Sequence, residues 1–183
     1  MAVRKIVIAG LLAACAAPAA ASIMVIGSSD ARLCFEAADS RMLPQVRDIR
    51  HCDDALATGL PGYETVATHV NRGILRLRRG LIDQAIADFD AAMALDPNQP
   101  EAYLNKGAAL IQRQNPTEAA QLFTVALEHN TQRPAVAHYG RAVANEALGN
   151  VREAYQDYQI ASQLAPDWAA PRADLQRFRV VQR

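Results

Sequence analysis

The chain has 183 residues, 51% of them hydrophobic and only 5% aromatic, and its 19 basic residues balance 19 acidic ones. The first 21 residues hold two of the basic residues and no acid, so the remainder carries 17 basic against 19 acidic residues. That balance excludes the basic face nucleic-acid binding needs, and the length suits one helical domain with no second core.

The first predicted element is a leader. Arg4 and Lys5 are followed by no charge until Asp30. The apolar run Ile6 to Ala14 gives way to the small residues Ala19-Ala20-Ala21, so residues 1–21 read as a secretory signal cleaved before Ser22. Two alternatives stay open. Leu12-Ala13-Ala14-Cys15 resembles a bacterial lipobox, which would make Cys15 the acylated first residue of a lipoprotein. An uncleaved leader would be a membrane anchor, although Pro18 and the many alanines are weakly apolar for a span. All three readings export the chain, most simply to the periplasm, and give it a membrane association only if Cys15 is acylated or the leader is kept. The mature start Ser22-Ile23-Met24-Val25-Ile26-Gly27 is apolar and without a partner of its own, and it is expected to dock on the downstream helices or to form part of the partner-binding surface.

Within residues 22–65, Asp30–Asp39 and Pro44–Thr58 read as two helices around a turn at 40–43. Cys34 and Cys52 each lie nine residues from Leu43, so an antiparallel hairpin would bring them together. A disulfide is expected in an oxidising compartment, with two buried thiols as the alternative.

From Val66 to Trp168 a pattern repeats three times. Gly73 and Gly107, Ala85 and Ala119, Phe89 and Phe123, and Ala92 and Ala126 are each 34 residues apart. Ala119, Phe123 and Ala126 return after 35 residues as Ala154, Tyr158 and Ala161, so the copies are 66–99, 100–134 and 135–168. A period of this length marks stacked units that bury their apolar faces against each other. The small residues belong where paired helices approach closest, and the aromatics fill the space between layers. Gly80, Gly149 and, in the second copy, Gln114 or Asn115 stand where a helix stops in a left-handed residue. Pro97 and Pro166 follow the second helix of their copies, while Thr131 replaces Pro in the middle copy and predicts a looser joint at Asn130 to Pro134. Ala170 to Val181 reads as a closing helix in residues 169–183, with Leu175, Phe178 and Val181 on one face.

This pattern resembles the tetratricopeptide repeat. The resemblance implies an all-α, right-handed superhelical array of helix-turn-helix units. The N-terminal hairpin then looks like a divergent unit, with Cys52 and Ala55 in the places of Phe89 and Ala92. It also implies a concave groove for a protein or peptide partner, lined by Val70, Asn71, Ile74 and Leu77 of the first copy. The second copy adds Leu104, Asn105, Ala108 and Ile111, and the third Val136, Tyr139 and Val143. Members that grip a C-terminal carboxylate carry Lys, Arg and Asn where this chain has Val70, Ile74, Asn105, Val136 and Gly140. Only Asn105 agrees, so an apolar peptide or helix is the expected ligand, with packing of Val70, Ile74, Leu104 and Val143 against neighbouring helices as the alternative.

No sign of catalysis or of a cofactor appears. The cluster His51-Cys52-Asp53-Asp54 lacks metal-ligand spacing, and there is no phosphate loop, Gly-x-Ser-x-Gly or His-Glu-x-x-His. His69 and His138 are expected to pack, His129 to sit near a helix C-terminus, and the pairs Asp53 with Asp54 and Asp88 with Asp90 to face solvent. The function expected is a non-catalytic interaction scaffold of the cell envelope. A lipoprotein adaptor that recruits enzymes or assembly factors is the alternative, and an enzyme or metal-binding protein is the remaining one.

Overall fold

The computed structural model describes residues 22–24 and 29–178, all of whose regular structure is helical. The expected leader with Cys15, Val25 to Gly27, Arg179 and Val181 lie outside the described residues. The helices are α1 (Ser29–Asp39), α2 (Val46–Ala57), α3 (Gly62–Arg78), α4 (Ile82–Leu95), α5 (Pro100–Gln112), α6 (Pro116–Glu128), α7 (Pro134–Leu148), α8 (Val151–Leu164) and α9 (Ala169–Leu175). Successive helices pack antiparallel in pairs, and each pair stacks on the next. The result is an all-α repeat solenoid. Helices of this length are marginal alone, so the stacking supplies their stability.

Local chemistry sets the boundaries. Pro100, Pro116 and Pro134 occupy the first turns of α5, α6 and α7, where a missing N–H costs no hydrogen bond. The Asn115 side chain accepts from the Glu118 N–H and donates to its carboxylate, closing the start of α6. Four helices end the same way, with a left-handed residue at Gly80, Gln114, Asn130 or Gly149. The N–H one residue later then reaches back to the last helical turn, from Leu81, Asn115, Thr131 and Asn150 to the carbonyls of Arg76, Leu110, Ala126 and Asn145. Of these four, Gln114 is the costly choice, because it holds φ 61° with a side chain. Gln114→Gly is expected to stabilise the fold by about 1 kcal/mol, read as a melting temperature higher by about 2–4 °C. Asn130→Gly should gain less, since Asn tolerates this region.

Three sequence expectations change. Helix α3 starts at Gly62, four residues before Val66, where the first copy was expected to begin. The closing helix stops at Leu175 instead of running to Val181. A turn there carries Arg177 to Glu146 on α7 and lays the Phe178 ring 5.8 Å from Tyr158, contacts that a straight helix would give up. The joint at Asn130 to Pro134 is tied, not loose. Glu101 Oε1 accepts from the Thr131 hydroxyl and from the Gln132 N–H, both at 2.9 Å, stitching it to the first turn of α5.

The core is made of small residues and a few rings. Ala85, Ala92, Ala119, Ala126, Ala154 and Ala161 are fully buried, beside Phe89, Phe123 and Tyr158. Cys34 and Cys52 are buried and joined as a disulfide, their Cα atoms 5.0 Å apart, and this ties α1 to α2.

Candidate functional site

Of the two readings of the concave positions, a largely apolar groove or packing against neighbouring helices, burial favours packing. Val70, Asn71, Ile74, Leu77, Leu104, Asn105, Tyr139 and Val143 are all buried. Only Ala108, Ile111 and Val136 keep partial exposure. Apolar positions on the first helix of each pair are used for packing, so most of the set is core and not free surface.

At the first pair the chain itself occupies the face. Asn71, fully buried on α3, accepts from the Ile23 N–H at 2.9 Å and donates to the Ile23 carbonyl at 2.8 Å. Ile23 is 8% exposed and belongs to the main core cluster. Ser22 donates its hydroxyl to Asp39 at the end of α1, and Tyr63, near the start of α3, donates to the Met24 carbonyl. The segment thus runs antiparallel to α3, held by its main chain through one amide side chain. A planar carboxamide offers a donor and an acceptor side by side, which matches the donor and acceptor of one extended residue. At the other end the groove residue Tyr139 donates to Asp174 at 2.8 Å and packs its ring 4.6 Å from Trp168. The two ends of the fold therefore close the two ends of the groove. Asn105, the other groove amide, donates to the Glu101 carbonyl.

A second constellation escaped the sequence reading. Asp88, expected in solvent, is 2% exposed and receives Arg72 Nη2 at 2.6 Å and Arg76 Nη1 at 2.7 Å, with His69 Nδ1 at 3.4 Å. The same arrangement recurs in the third copy, where Asp157, 5% exposed, meets Arg141 Nε and His138 Nδ1 at 2.8 Å each. His69 and His138 are therefore ion-cluster members as well as packing residues. Each cation also reaches back one unit. Arg72 bonds Asp53 of α2, Lys106 bonds Asp90 of α4, and Arg141 bonds Thr124 of α6. The three acceptors stand in equivalent places, one residue after Cys52, Phe89 and Phe123, so the contacts form a ladder that fixes the register between successive pairs.

Burial would raise the Asp88 and Asp157 carboxyls, but His69 with Arg72 and Arg76, and His138 with Arg141, more than offset it. Both carboxyls sit below their ordinary value, near 4. A lowered folded-state value contributes stability above the unfolded value and loses it as pH falls through the folded one. Unfolding free energy is accordingly expected to be insensitive to these two groups between about pH 7 and 5 and to fall below about pH 4. Urea titrations across this range read it, and Asp157→Asn should flatten the acid limb.

Among the described residues the one candidate reactive cluster does not hold together. His51 Nδ1 pairs with Asp30 at 2.9 Å, Cys52 is bonded to Cys34 and Asp53 goes to Arg72, so the His51 to Asp54 cluster disperses in three directions. Among the described residues no group of three or more His, Cys, Asp or Glu is placed to hold a metal ion.

Comparison with known proteins agrees with this architecture. A tetratricopeptide repeat family model matches residues 70–135. Superkiller complex protein 3 of Homo sapiens is 30% identical over 99 residues and that of Mus musculus 29%, in each case over 54% of this chain. The chain spans only 6% of the length of either relative. Among solved structures, the first tetratricopeptide domain of Spaghetti (RPAP3), bound to the HSP90 peptide SRMEEVD, aligns with a TM-score of 0.59 at 23% identity, over 62% of this chain and 90% of that one. The first such domain of human RPAP3 aligns with a TM-score of 0.58 at 23% identity, over 62% and 88%. At this identity the structures bear on the fold alone.

Proposed function

On the premise of a chain built on tetratricopeptide repeats, we propose that it is a non-catalytic scaffold that receives an extended apolar segment of a partner protein along α3. One observation carries this reading: the Asn71 amide both donates to and accepts from the main chain of Ile23. A clamp of this kind reads extended backbone in any sequence, while the socket around the Ile23 side chain favours an apolar residue. The solved Spaghetti domain is bound to the peptide SRMEEVD, whose last residue is acidic. Here Val70, Ile74, Val136 and Gly140 offer no cation for such an end, so an internal apolar stretch suits the face better.

The test uses the chain with residues 22–27 deleted and a labelled peptide of the same sequence, Ser22 to Gly27, as probe. Fluorescence anisotropy should show the peptide binding the deleted chain, and binding should be lost when Asn71→Ala is added. A deleted chain that keeps its helical circular dichroism yet leaves the peptide free would refute the clamp.

The scaffold is further assigned to the bacterial envelope, a reading supported by the composition of residues 1–21 and by the pairing of Cys34 with Cys52, which an oxidising compartment preserves. Mass spectrometry of the mature N-terminus decides its form. A start at Ser22 gives the soluble exported chain, and an acylated Cys15 gives the lipoprotein adaptor.

A further inference from the structure

The turn between α1 and α2 stands out on the surface. Among the described residues Met42 and Leu43 are the most exposed large apolar side chains, at 76% and 77%, and Val46, in the first turn of α2, is 60% exposed. Adjacent apolar side chains left in water at a loop tip mark an interaction surface more often than chance exposure does. The tip is also held rigidly. The Arg78 guanidinium donates to the carbonyls of Ala38 and Met42, Arg79 donates to that of Pro44 at 3.0 Å, and the Ser40 hydroxyl accepts from the Met42 N–H. Three backbone carbonyls are thus fastened from the last residue of α3 and its C-cap while Met42 and Leu43 remain outside.

The surroundings are basic. Arg41 and Arg47 are exposed on either side of the apolar residues. Arg78 and Arg79 spend hydrogen bonds on carbonyls, which leaves their charge in place. Against these four arginines stand two acids that keep their charge: Asp48, 3.8 Å from Arg47 and accepting from the Gln45 N–H, and Asp39, which accepts from the Ser22 hydroxyl. That last bond adds a second, independent observation. Ser22 is anchored beside this turn, so the uncharged sequence Ile6 to Ala21 joins the fold at the same end that carries Met42 and Leu43.

We propose that this tip is a membrane-surface contact, with Met42, Leu43 and Val46 entering the interfacial layer of an anionic bilayer and Arg41, Arg47, Arg78 and Arg79 meeting its headgroups. Apolar side chains ringed by arginines suit that layer, where acyl chains and phosphates lie within a few ångströms of each other. The contact is peripheral: among the described residues no helix is long and apolar enough to cross a membrane. It would hold the array at the membrane whether the leader is cleaved or retained, leaving the far pairs projecting away.

The experiment uses the full chain carrying Leu43→Trp, mixed with phosphatidylcholine–phosphatidylglycerol vesicles whose acyl chains are brominated. The new indole should shift to the blue and lose most of its emission. Trp168, the single tryptophan of the unsubstituted chain, should stay unquenched at the opposite end. Adding Arg41→Glu and Arg47→Glu, or removing phosphatidylglycerol, should restore the emission several-fold. An indole that stays unquenched in anionic vesicles would overturn the proposal in favour of a protein contact. Quenching that survives both charge reversal and neutral lipid would also overturn it, because the leader alone would then account for proximity.

Discussion

Asp88→Ala is expected to lower the unfolding free energy by about 3–5 kcal/mol, the cost of leaving buried cations without their counter-charge. Arg72 and Arg76 both aim guanidinium groups at this 2%-exposed carboxylate, and His69 leans on it from the same helix. Removing it strands two arginines whose side chains are mostly out of water. Asp53, their second acceptor, cannot compensate: its side chain is 47% exposed and it already holds Arg72 Nη1 at 2.7 Å. For a chain of this size the loss corresponds to a melting temperature lower by roughly 10 °C. Asp53→Ala is the control and should cost under about 1 kcal/mol, as solvent-exposed pairs do. Equal losses in the two variants would show that the cluster is not the buried anchor described above. A double-mutant cycle of Asp88 with Arg72 then separates their coupling from lost packing.

The ladder built on these residues explains what the sequence reading saw and what it passed over. Helix pairing was legible because Gly73 and Gly107, Ala85 and Ala119, and Phe89 and Phe123 obey one period, and close packing allows only small or ring residues there. The register-setting cations were not. Arg72, Lys106 and Arg141 occupy equivalent places, but a hydrophobic-pattern argument assigns every charged residue to solvent, and so placed Asp88 there too. The signal was available in outline. His69-x-x-Arg72 and His138-x-x-Arg141 are each followed by an Asp 19 residues after the His, a coincidence that helix spacing alone does not require.

The groove failed for a different reason. Family contact positions assume an empty concave face, whereas Ile23 and the Trp168 to Asp174 stretch lie against this one. Docking of Ser22 to Met24 was foreseeable from the lack of any other partner for that apolar stretch. That Asn71 would take its backbone was not, because a bidentate amide contact leaves no periodic trace. The closing helix was overextended for a similar reason: the spacing of Leu175 and Phe178 fits a helix, but the Phe178 ring reaches Tyr155 and Tyr158 from beyond the helix end.

Phe123→Ala should cost about 3–5 kcal/mol as well, with a different signature. The Phe123 ring lies between two glycines on successive first helices. A Cβ added at Gly107 would meet it at 3.0 Å, and one added at Gly140 would collide with it. Phe89 has this relation only to Gly73 of its own pair. Phe123 therefore fills the layer between the α5–α6 and α7–α8 pairs, which also meet through the Arg141 to Thr124 bond. In a stacked array stability is a sum of unit and neighbour terms, so weakening one interface should split unfolding before it abolishes folding. Hydrogen exchange is expected to quicken across α7 and α8 while α3 and α4 keep their protection, and thermal melting should broaden or resolve into two steps. Gly140→Ala approaches the same layer by overfilling it and should cost about 1–3 kcal/mol, again with the loss concentrated in α7 and α8. If Phe123→Ala instead melts in one sharp transition with uniform exchange, the layer is not the weak seam of the array, and cooperativity must run through the ion ladder in spite of the missing ring.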